Sequence, residues 1–544
     1  MDRPIDENLR SLLATAPIRL GSLNRAAAGD AKDRLGPGAG RLGPGAVRPG
    51  AVRPGAGRIE ITPEYELVKN LLAKDFPVVF VSGKAGTGKS TLIFYLRLAL
   101  GKTIVTVAPT GVAALNVEGA TIHSFFRFPP HIVQPEDVQE VTNRRMYKKL
   151  DLLVIDEVSM VRADLMDAMD LFLRKNGRDP NRPFGGVQLL LVGDLFQLPP
   201  VLQKREEELL SSMKYATPFF FSAHVLQDCP VAPVELSRIW RQTDEGFTEL
   251  LNAVREARDL DRVLPKLNER CRTSDDPADP AARVTLAATN AVADRINAQH
   301  LSRITAPSFT FSGEVSGKFQ VEEAKLPSPL ELTLKVGAQV MFTKNDDAHR
   351  WVNGSVGIVR RLDPPSIHVE MLTETPGLVH EIDRVEWESY RYEYNRSLDQ
   401  IRPVVTGRFV QVPLMLAWAI TIHKSQGKTL DAIRVDLGTG AFAPGQVYVA
   451  LSRCRSLENL ELARPIRASD VRCDARIVRF FAALAKIQGR LADGESAHES
   501  RLAGTNVRCP WCGQSLLQKS GSCGAYLECT QHPDCEFRQN LYED

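Results

Sequence analysis

The segment Gly83-Lys84-Ala85-Gly86-Thr87-Gly88-Lys89-Ser90 carries the spacing G-x-x-x-x-G-K-[ST] between the apolar run Val78-Val79-Phe80-Val81 and the helix-like stretch Thr91-Leu92-Ile93-Phe94-Tyr95-Leu96. Residues of these types in this setting suit one chemistry: the glycines let backbone N–H groups close around phosphate oxygens at a helix N-terminus. Lys89 can then reach the β- and γ-phosphates, and the Ser90 hydroxyl can ligate Mg2+. Gly83, Ala85, Gly86, Thr87, Gly88, Lys89, Ser90 and Thr91 are therefore the candidate nucleotide cradle. A glycine-rich turn that binds nothing is the competing reading, and the strand before it and the helix after it weigh against it. Downstream, Leu152-Leu153-Val154-Ile155 ends in Asp156-Glu157, two carboxylates delivered to the C-terminal edge of a buried strand, where open α/β sheets place ligands. That position suits Asp156 to hold Mg2+ and Glu157 to polarise an attacking water. A further apolar run, Val187 to Val192, leads into Gly193-Asp194-Leu195-Phe196-Gln197-Leu198-Pro199-Pro200. Gln197 is thus a candidate sensor of the γ-phosphate, with a plain capping turn as the alternative.

A second chemistry sits in the tail. Cys509, Cys512, Cys529 and Cys535 follow the spacing C-x2-C-x16-C-x5-C, and four thiolates complete a closed tetrahedral Zn2+ site. Disulfides or an unmetallated tail are the alternatives. A unit this small has too little core to fold unaided, which favours the metal.

These groups need a scaffold, and 544 residues suffice for several domains. The 68 basic and 66 acidic residues nearly cancel, so any nucleic-acid surface must be a local groove rather than a global field. No run of about 18 apolar residues occurs and the N-terminus lacks a charged-then-apolar pattern; neither membrane insertion nor secretion is expected, and the protein is placed in the cytoplasm. From about residue 59, apolar runs at 78–82, 103–107, 151–155 and 187–192 alternate with helical patterns, the βαβ rhythm of a parallel sheet. Runs at 284–288, 414–420 and 433–437 predict a second α/β domain, and the β-rich stretch 338–410 between them predicts an inserted small β-barrel. The expected boundaries are 59–236 for the first domain, with a short insertion at about 127–149, and 237–337 plus 411–480 for the second. A linker at 481–508 and a metal module at 509–537 follow. Residues 1–58 are expected to be disordered; within them a Gly/Pro/Ala repeat at 34–58 carries Arg34, Arg41, Arg48, Arg53 and Arg58 without an acid. It is either a linker or a basic arm that brushes nucleic-acid phosphates.

Three segments already introduced, the phosphate loop, the Asp156-Glu157 pair and the Gln197 run, join two others, Ala108-Pro109-Thr110-Gly111-Val112-Ala113-Ala114-Leu115-Asn116 and Thr121-Ile122-His123-Ser124-Phe125-Phe126. In order, the set resembles the motifs of Pif/RecD-type superfamily-one DNA helicases. Leu236-Ser237-Arg238-Ile239-Trp240-Arg241-Gln242 resembles the family's fourth motif, Ala419-Ile420-Thr421-Ile422-His423-Lys424-Ser425-Gln426-Gly427 its fifth and Gln446-Val447-Tyr448-Val449-Ala450-Leu451-Ser452-Arg453 its sixth, so the resemblance runs from about 60 to 465. It implies two RecA-like domains that close on ATP and Mg2+, with Arg241 and Arg453 as arginine fingers from the second. It places Gly427 at the nucleotide. It places Pro109, Thr110, His123, Phe125, His423, Lys424 and Ser425 along a single-strand track, where hydroxyls, amides and cations hold phosphates and rings stack on bases. One of Phe125 and Phe126 is expected in the core.

The implied activity is ATP-dependent 5′→3′ unwinding of DNA, by a monomer acting on single-stranded and tailed duplex DNA in repair, recombination or replication. A RecD-like motor subunit of an exonuclease complex and a DNA-binding scaffold with a nucleotide switch are the rivals. No nuclease carboxylate cluster is evident, and a switch need not keep Glu157, Gln197, Arg241 and Arg453. One departure concerns the base: the glutamine that relatives carry just before the first motif to read adenine is missing from Ile61-Thr62-Pro63-Glu64-Tyr65-Glu66-Leu67-Val68. Selectivity for ATP therefore stays open. The tail resembles the zinc ribbons of bacterial type-I topoisomerases, with Gly524 to Cys529 as the second knuckle, which makes Cys523 and His532 bystanders and DNA the implied contact.

Overall fold

In the computed structural model, residues 60–492 are described apart from 130, 228, 243, 273–282, 320–325, 347, 349, 365, 373–376 and 396–399, together with strands at 516–521, 524–529 and 538–540. Six strands open the fold: β1 (Val78–Gly83), β2 (Ile104–Ala108), β3 (Ala120–Thr121), β4 (Leu152–Ile155), β5 (Gln188–Gly193) and β6 (Val231–Leu236). They form one sheet in the order β3-β2-β4-β5-β1-β6, every pair parallel. β1, β4 and β5 are buried along their whole length, because a parallel sheet is covered by helices on both faces. Their near-continuous Val, Leu and Ile content follows, at roughly 1.5–3 kcal/mol per buried side chain. The order β4-β5-β1 sets three strand ends side by side, and these ends carry Asp156, Asp194 and the phosphate loop.

The chain continues through β7 (Val284–Ala287), then β8 (Ser308–Ser312), β9 (Glu314–Gly317), β10 (Glu331–Lys335), β11 (Gln339–Phe342), β12 (Val356–Asp363), β13 (Ser366–Met371), β14 (Val379–Ile382), β15 (Val385–Asn395), β16 (Gln400–Gln411) and β17 (Leu414–Leu416). It then adds β18 (Ala419–Thr421), β19 (Ile433–Asp436) and β20 (Leu460–Leu462). A second parallel sheet has the order β18-β7-β19-β20. The helices Glu245–Glu256 and Leu260–Asn268 pack Phe247, Leu250, Val254, Val263 and Leu267 onto its core. The fold is thus α/β with two RecA-like sheets and a β-rich insertion.

That insertion is an antiparallel sheet, β14-β13-β12-β11-β17, with a long ribbon β15-β16 to which β9 is added. Phe311, Leu332 and Leu334 share a core with Val340, Phe342 and Val359, so strands ahead of residue 338 pack with the insertion. The run 414–420, expected as one strand, is two: Leu416 pairs with Val340 in the antiparallel sheet, while Ala419 pairs with Thr285 in the parallel one. Gln339 explains the break. Its Nε2 donates to the carbonyls of Ala417 at 2.8 Å and Arg283 at 3.2 Å, tying the crossing point to both sheets.

In the tail, β21 (Leu516–Gly521), β22 (Gly524–Cys529) and β23 (Arg538–Asn540) form an antiparallel sheet with Leu516 opposite Cys529. Cys509, Cys512, Cys535 and the repeat at 34–58 lie outside the described residues. No described helix is long and apolar enough to cross a membrane.

Candidate active site

β1 turns into the phosphate loop through Gly86 at φ +81° and Gly88 at φ +85°, left-handed values that glycine adopts without a Cβ clash. The loop is braced internally: Thr87 Oγ1 donates to the Lys84 carbonyl at 2.9 Å, and Lys89 Nζ donates to the carbonyls of Gly83 at 2.8 Å and Lys84 at 3.0 Å. Gly88 opens the helix Lys89–Ala99, with Ser90 and Thr91 exposed in its first turn. Tyr65, in the segment that lacks the glutamine, donates its hydroxyl to the Gly88 carbonyl at 2.7 Å. Burial pushes the Lys89 ammonium down, against the pull of Asp194, Glu157 and Asp156.

Asp156 and Glu157 leave the end of β4 together. Burial, then the charge of Glu157, raises the Asp156 carboxyl to about 7, and burial likewise raises Glu157 against the attraction of Lys89 and Arg453. Glu157 also takes φ +50°, a strained value for a residue with a Cβ, costing roughly 1–2 kcal/mol. Two crowded carboxyls whose charge is costly fit a divalent cation. Among the described residues no group of three or more His, Cys, Asp or Glu converges on a metal position. That donor set suits Mg2+, which takes one or two carboxylates and draws its remaining oxygens from phosphate and water.

The turns of the second domain and the segment that follows β6 meet these groups directly. Gln426 Nε2 donates to Glu157 Oε2 at 3.3 Å, and the Trp240 amide donates to the Gly86 carbonyl at 2.8 Å. Arg241 Nη1 donates to the Ser452 carbonyl at 3.3 Å and lies within electrostatic reach of Glu157. Arg453 is 1% exposed. Its guanidinium donates to the carbonyls of Val449 at 2.8 Å, Lys428 at 3.3 Å and Ser425 at 3.4 Å and to Ser452 Oγ at 2.9 Å. Burial, with Arg241 adding repulsion, pushes it down to about 9. Gly427, at φ +78°, closes the Gln426 turn.

Three residues that the motif reading left without a role tie the cleft together. Asp194 pairs with Arg255 at 3.0 Å, both side chains almost fully buried, and Arg255 also lies over the Phe196 ring at 4.0 Å. Gln197, itself buried, donates to Asp194 Oδ2 at 3.4 Å. Tyr448 donates its hydroxyl to Asp194 Oδ2 at 3.1 Å and accepts from the Ala85 amide at 3.0 Å. A signal for Arg255 exists in the sequence: it falls four residues after Leu251 on the apolar side of its helix, where arginine survives only when paired.

The expected strand-track residues divide. Pro109 and Thr110 are half-buried, and the Thr110 hydroxyl accepts the Ala113 amide at 3.3 Å as a helix cap. Burial lowers His123 and His423, and Lys424 is exposed. The His423 ring runs parallel to that of Phe442, 6.4 Å away, and Phe442 is 55% exposed. Phe125 and Phe126 are both buried, against the expectation that one faces a groove. Phe125 packs edge-on against Phe126, Tyr147 and the Tyr392 of β15. Ser425 departs too: it is fully buried, and its hydroxyl donates to the Ile422 carbonyl at 2.7 Å, so its side chain braces a turn rather than facing a ligand.

A phosphate loop after β1, acids after β4, Arg241 in the segment that leaves the first sheet and a facing domain that supplies Gln426 and Arg453 define a two-domain P-loop nucleotide-binding protein. Residues 64–259 match the model of the PIF1-like helicase family, and residues 506–543 that of the topoisomerase DNA-binding C4 zinc finger. The chain is 33% identical over 438 residues to the ATP-dependent DNA helicase PIF1 of Mus musculus, covering 78% of this chain and 63% of that protein, so it spans less than two thirds of that relative. It is 33% identical over 417 residues to the ATP-dependent DNA helicase Pif1 of Bdellovibrio bacteriovorus, covering 74% of this chain and 88% of that one. Pif1 from Bacteroides sp, in complex with ADP-AlF4, matches with a TM-score of 0.72 at 37% identity over 79% of this chain and 98% of its own. The same protein bound to single-stranded DNA matches with a TM-score of 0.57. The chain belongs to the PIF1-like helicase family.

Proposed function

We propose that this chain is an ATP-dependent DNA helicase that moves 5′→3′ on one strand and so unwinds duplex DNA. The observation that carries the reading is the convergence of both sheets on Glu157, which accepts Gln426 from the second domain while lying within reach of Lys89, Arg241 and Arg453. Backbone amides of Gly83–Ser90 and the Lys89 ammonium would hold the phosphates. Ser90 and Asp156 would hold Mg2+, which neutralises phosphate charge when bound. Glu157 orients the attacking water and accepts its proton, Gln197 senses the γ-phosphate, and Arg241 and Arg453 stabilise the charge that develops on the transferred phosphoryl group. Opening and closing of this cleft would shift the grip on a strand held by Pro109, Thr110, His123, His423 and Lys424. A relative crystallised with single-stranded DNA supports strand binding as such. Cys509, Cys512, Cys529 and Cys535 are read as ligands of one Zn2+, supported by the zinc-finger match over 506–543.

The test pairs two assays. Wild-type protein should open a 5′-tailed duplex and not a 3′-tailed one. Lys89→Ala should lose ATP turnover yet keep single-strand binding, because the lysine touches phosphate and not DNA. Near-normal turnover in that variant, or unwinding of neither substrate by wild type, refutes the reading.

A further inference from the structure

We propose that Tyr448 is the positioning residue through which the second domain registers phosphate in the loop of the first. The Ala85 amide is one of the loop N–H groups that would cradle phosphate, and it donates to the Tyr448 hydroxyl at 3.0 Å. That hydroxyl is not placed by chance. It donates its own proton to Asp194 Oδ2 at 3.1 Å, and Asp194 is held by its buried pair with Arg255. The Tyr448 ring is 3% exposed. Gly445, one turn earlier, lets the helix Gln446–Leu451 start against the Phe196 and Gln197 carbonyls, where a Cβ would fall 2.4 and 2.5 Å from those oxygens. The hydroxyl is therefore delivered to the amide by a fitted interface.

One backbone N–H serves one strong acceptor, so tyrosine and phosphate exclude each other at Ala85. Phosphate arriving there frees the hydroxyl, which keeps its bond to Asp194 but no longer joins the phosphate loop to the second domain. The bond thus opposes nucleotide and couples its arrival to the domain that carries His423 and Lys424. Coupling of this kind is reciprocal: the factor by which nucleotide alters strand affinity is the factor by which strand alters nucleotide affinity.

The inference rests on the nucleotide-binding reading above, and one titration separates the two. A fluorescent ADP analogue is titrated into wild type, Tyr448→Phe and Tyr448→Met, and a labelled thymidine oligomer is titrated with and without saturating ADP. Both variants fill the ring's space and lack the hydroxyl, so either one that melts like wild type suffices. Losing one hydrogen bond should tighten ADP binding about two- to tenfold, and the ADP-dependent shift in oligomer affinity should shrink. General damage to the cleft would move ADP affinity the other way. Unchanged or weaker ADP binding in the folded variants, or an unchanged shift, overturns the role of Tyr448. Failure of wild type to bind ADP overturns the nucleotide-binding reading itself.

Discussion

Gly445→Ala should slow turnover sharply without harming the nucleotide cradle. Gly445 takes φ +72°, and an added Cβ would lie 2.4 Å from the Phe196 oxygen and 2.5 Å from the Gln197 oxygen, main-chain atoms that cannot swing aside. Ordinary contact begins near 3.4 Å, so the start of the Gln446–Leu451 helix must retreat by about 1 Å. The left-handed φ adds roughly 1–2 kcal/mol for a residue with a Cβ. This helix carries Tyr448 and runs directly into Arg453, and a displacement of that size in groups that position a reaction costs about 10²-fold in rate. DNA-stimulated ATPase measured at saturating ATP should therefore fall by about 10²-fold. Binding of a fluorescent ADP analogue should not weaken, because Gly83–Ser90 belong to the first domain, and the melting temperature should drop by only about 5 °C. A kcat within about threefold of wild type would show that the Phe196–Gln197 contact plays no part in the reaction.

Arg241→Ala and Arg453→Ala should each lower kcat by roughly 10³-fold with smaller effects on nucleotide affinity; normal turnover in both removes them from the cleft. Arg453→Ala should also melt earlier, since the carbonyls of Val449, Ser425 and Lys428 lose a donor inside the core. Burial pushes the Asp194 carboxyl up, but Arg255 and Lys89 outweigh it and hold it below its ordinary range. A depressed carboxyl contributes stability that is complete above the unfolded value of about 3.9 and is lost as pH falls through the lower folded one. Melting temperature should thus fall more steeply below pH ~4 in wild type than in Arg255→Met, and identical slopes would refute the pairing. Metal analysis of freshly reduced protein should find about one zinc per chain, lost in Cys535→Ser and kept in Cys523→Ser, and the reverse pattern changes the ligand set.

The parts of this fold legible in the sequence are those where burial dictates composition. β1, β4 and β5 are covered on both faces, so their apolar runs mark them and the candidate catalytic residues follow at their ends. Two failures share a cause. The run 414–420 is evenly apolar because both sheets it serves are buried, and nothing in its periodicity marks the change of partner at Ala417. Phe125 reads like a stacking ring, yet Tyr392, far along the chain, covers it. In the Asp194–Arg255–Tyr448 cluster the apolar-side position of Arg255 signals a buried pair, but its partners lie beyond sequence for the same reason: the members come from three separate segments, and their meeting depends on how two sheets face each other.

The crossing from β17 to β18 has a mechanical consequence. Only Ala417 and Trp418 separate the last strand of the insertion from the strand that leads into His423–Gly427. Neither residue has slack: the Ala417 amide donates to the Gln339 carbonyl at 3.0 Å, and the Trp418 carbonyl accepts the Thr285 amide at 2.9 Å. A joint this short, bonded to both sheets, leaves the chain little freedom between them. The insertion and the turn that holds Gln426 on Glu157 are thus joined through two residues that are each hydrogen-bonded to a sheet neighbour. A flexible spacer placed between Leu416 and Ala419 should therefore loosen the insertion from the Gln426 turn.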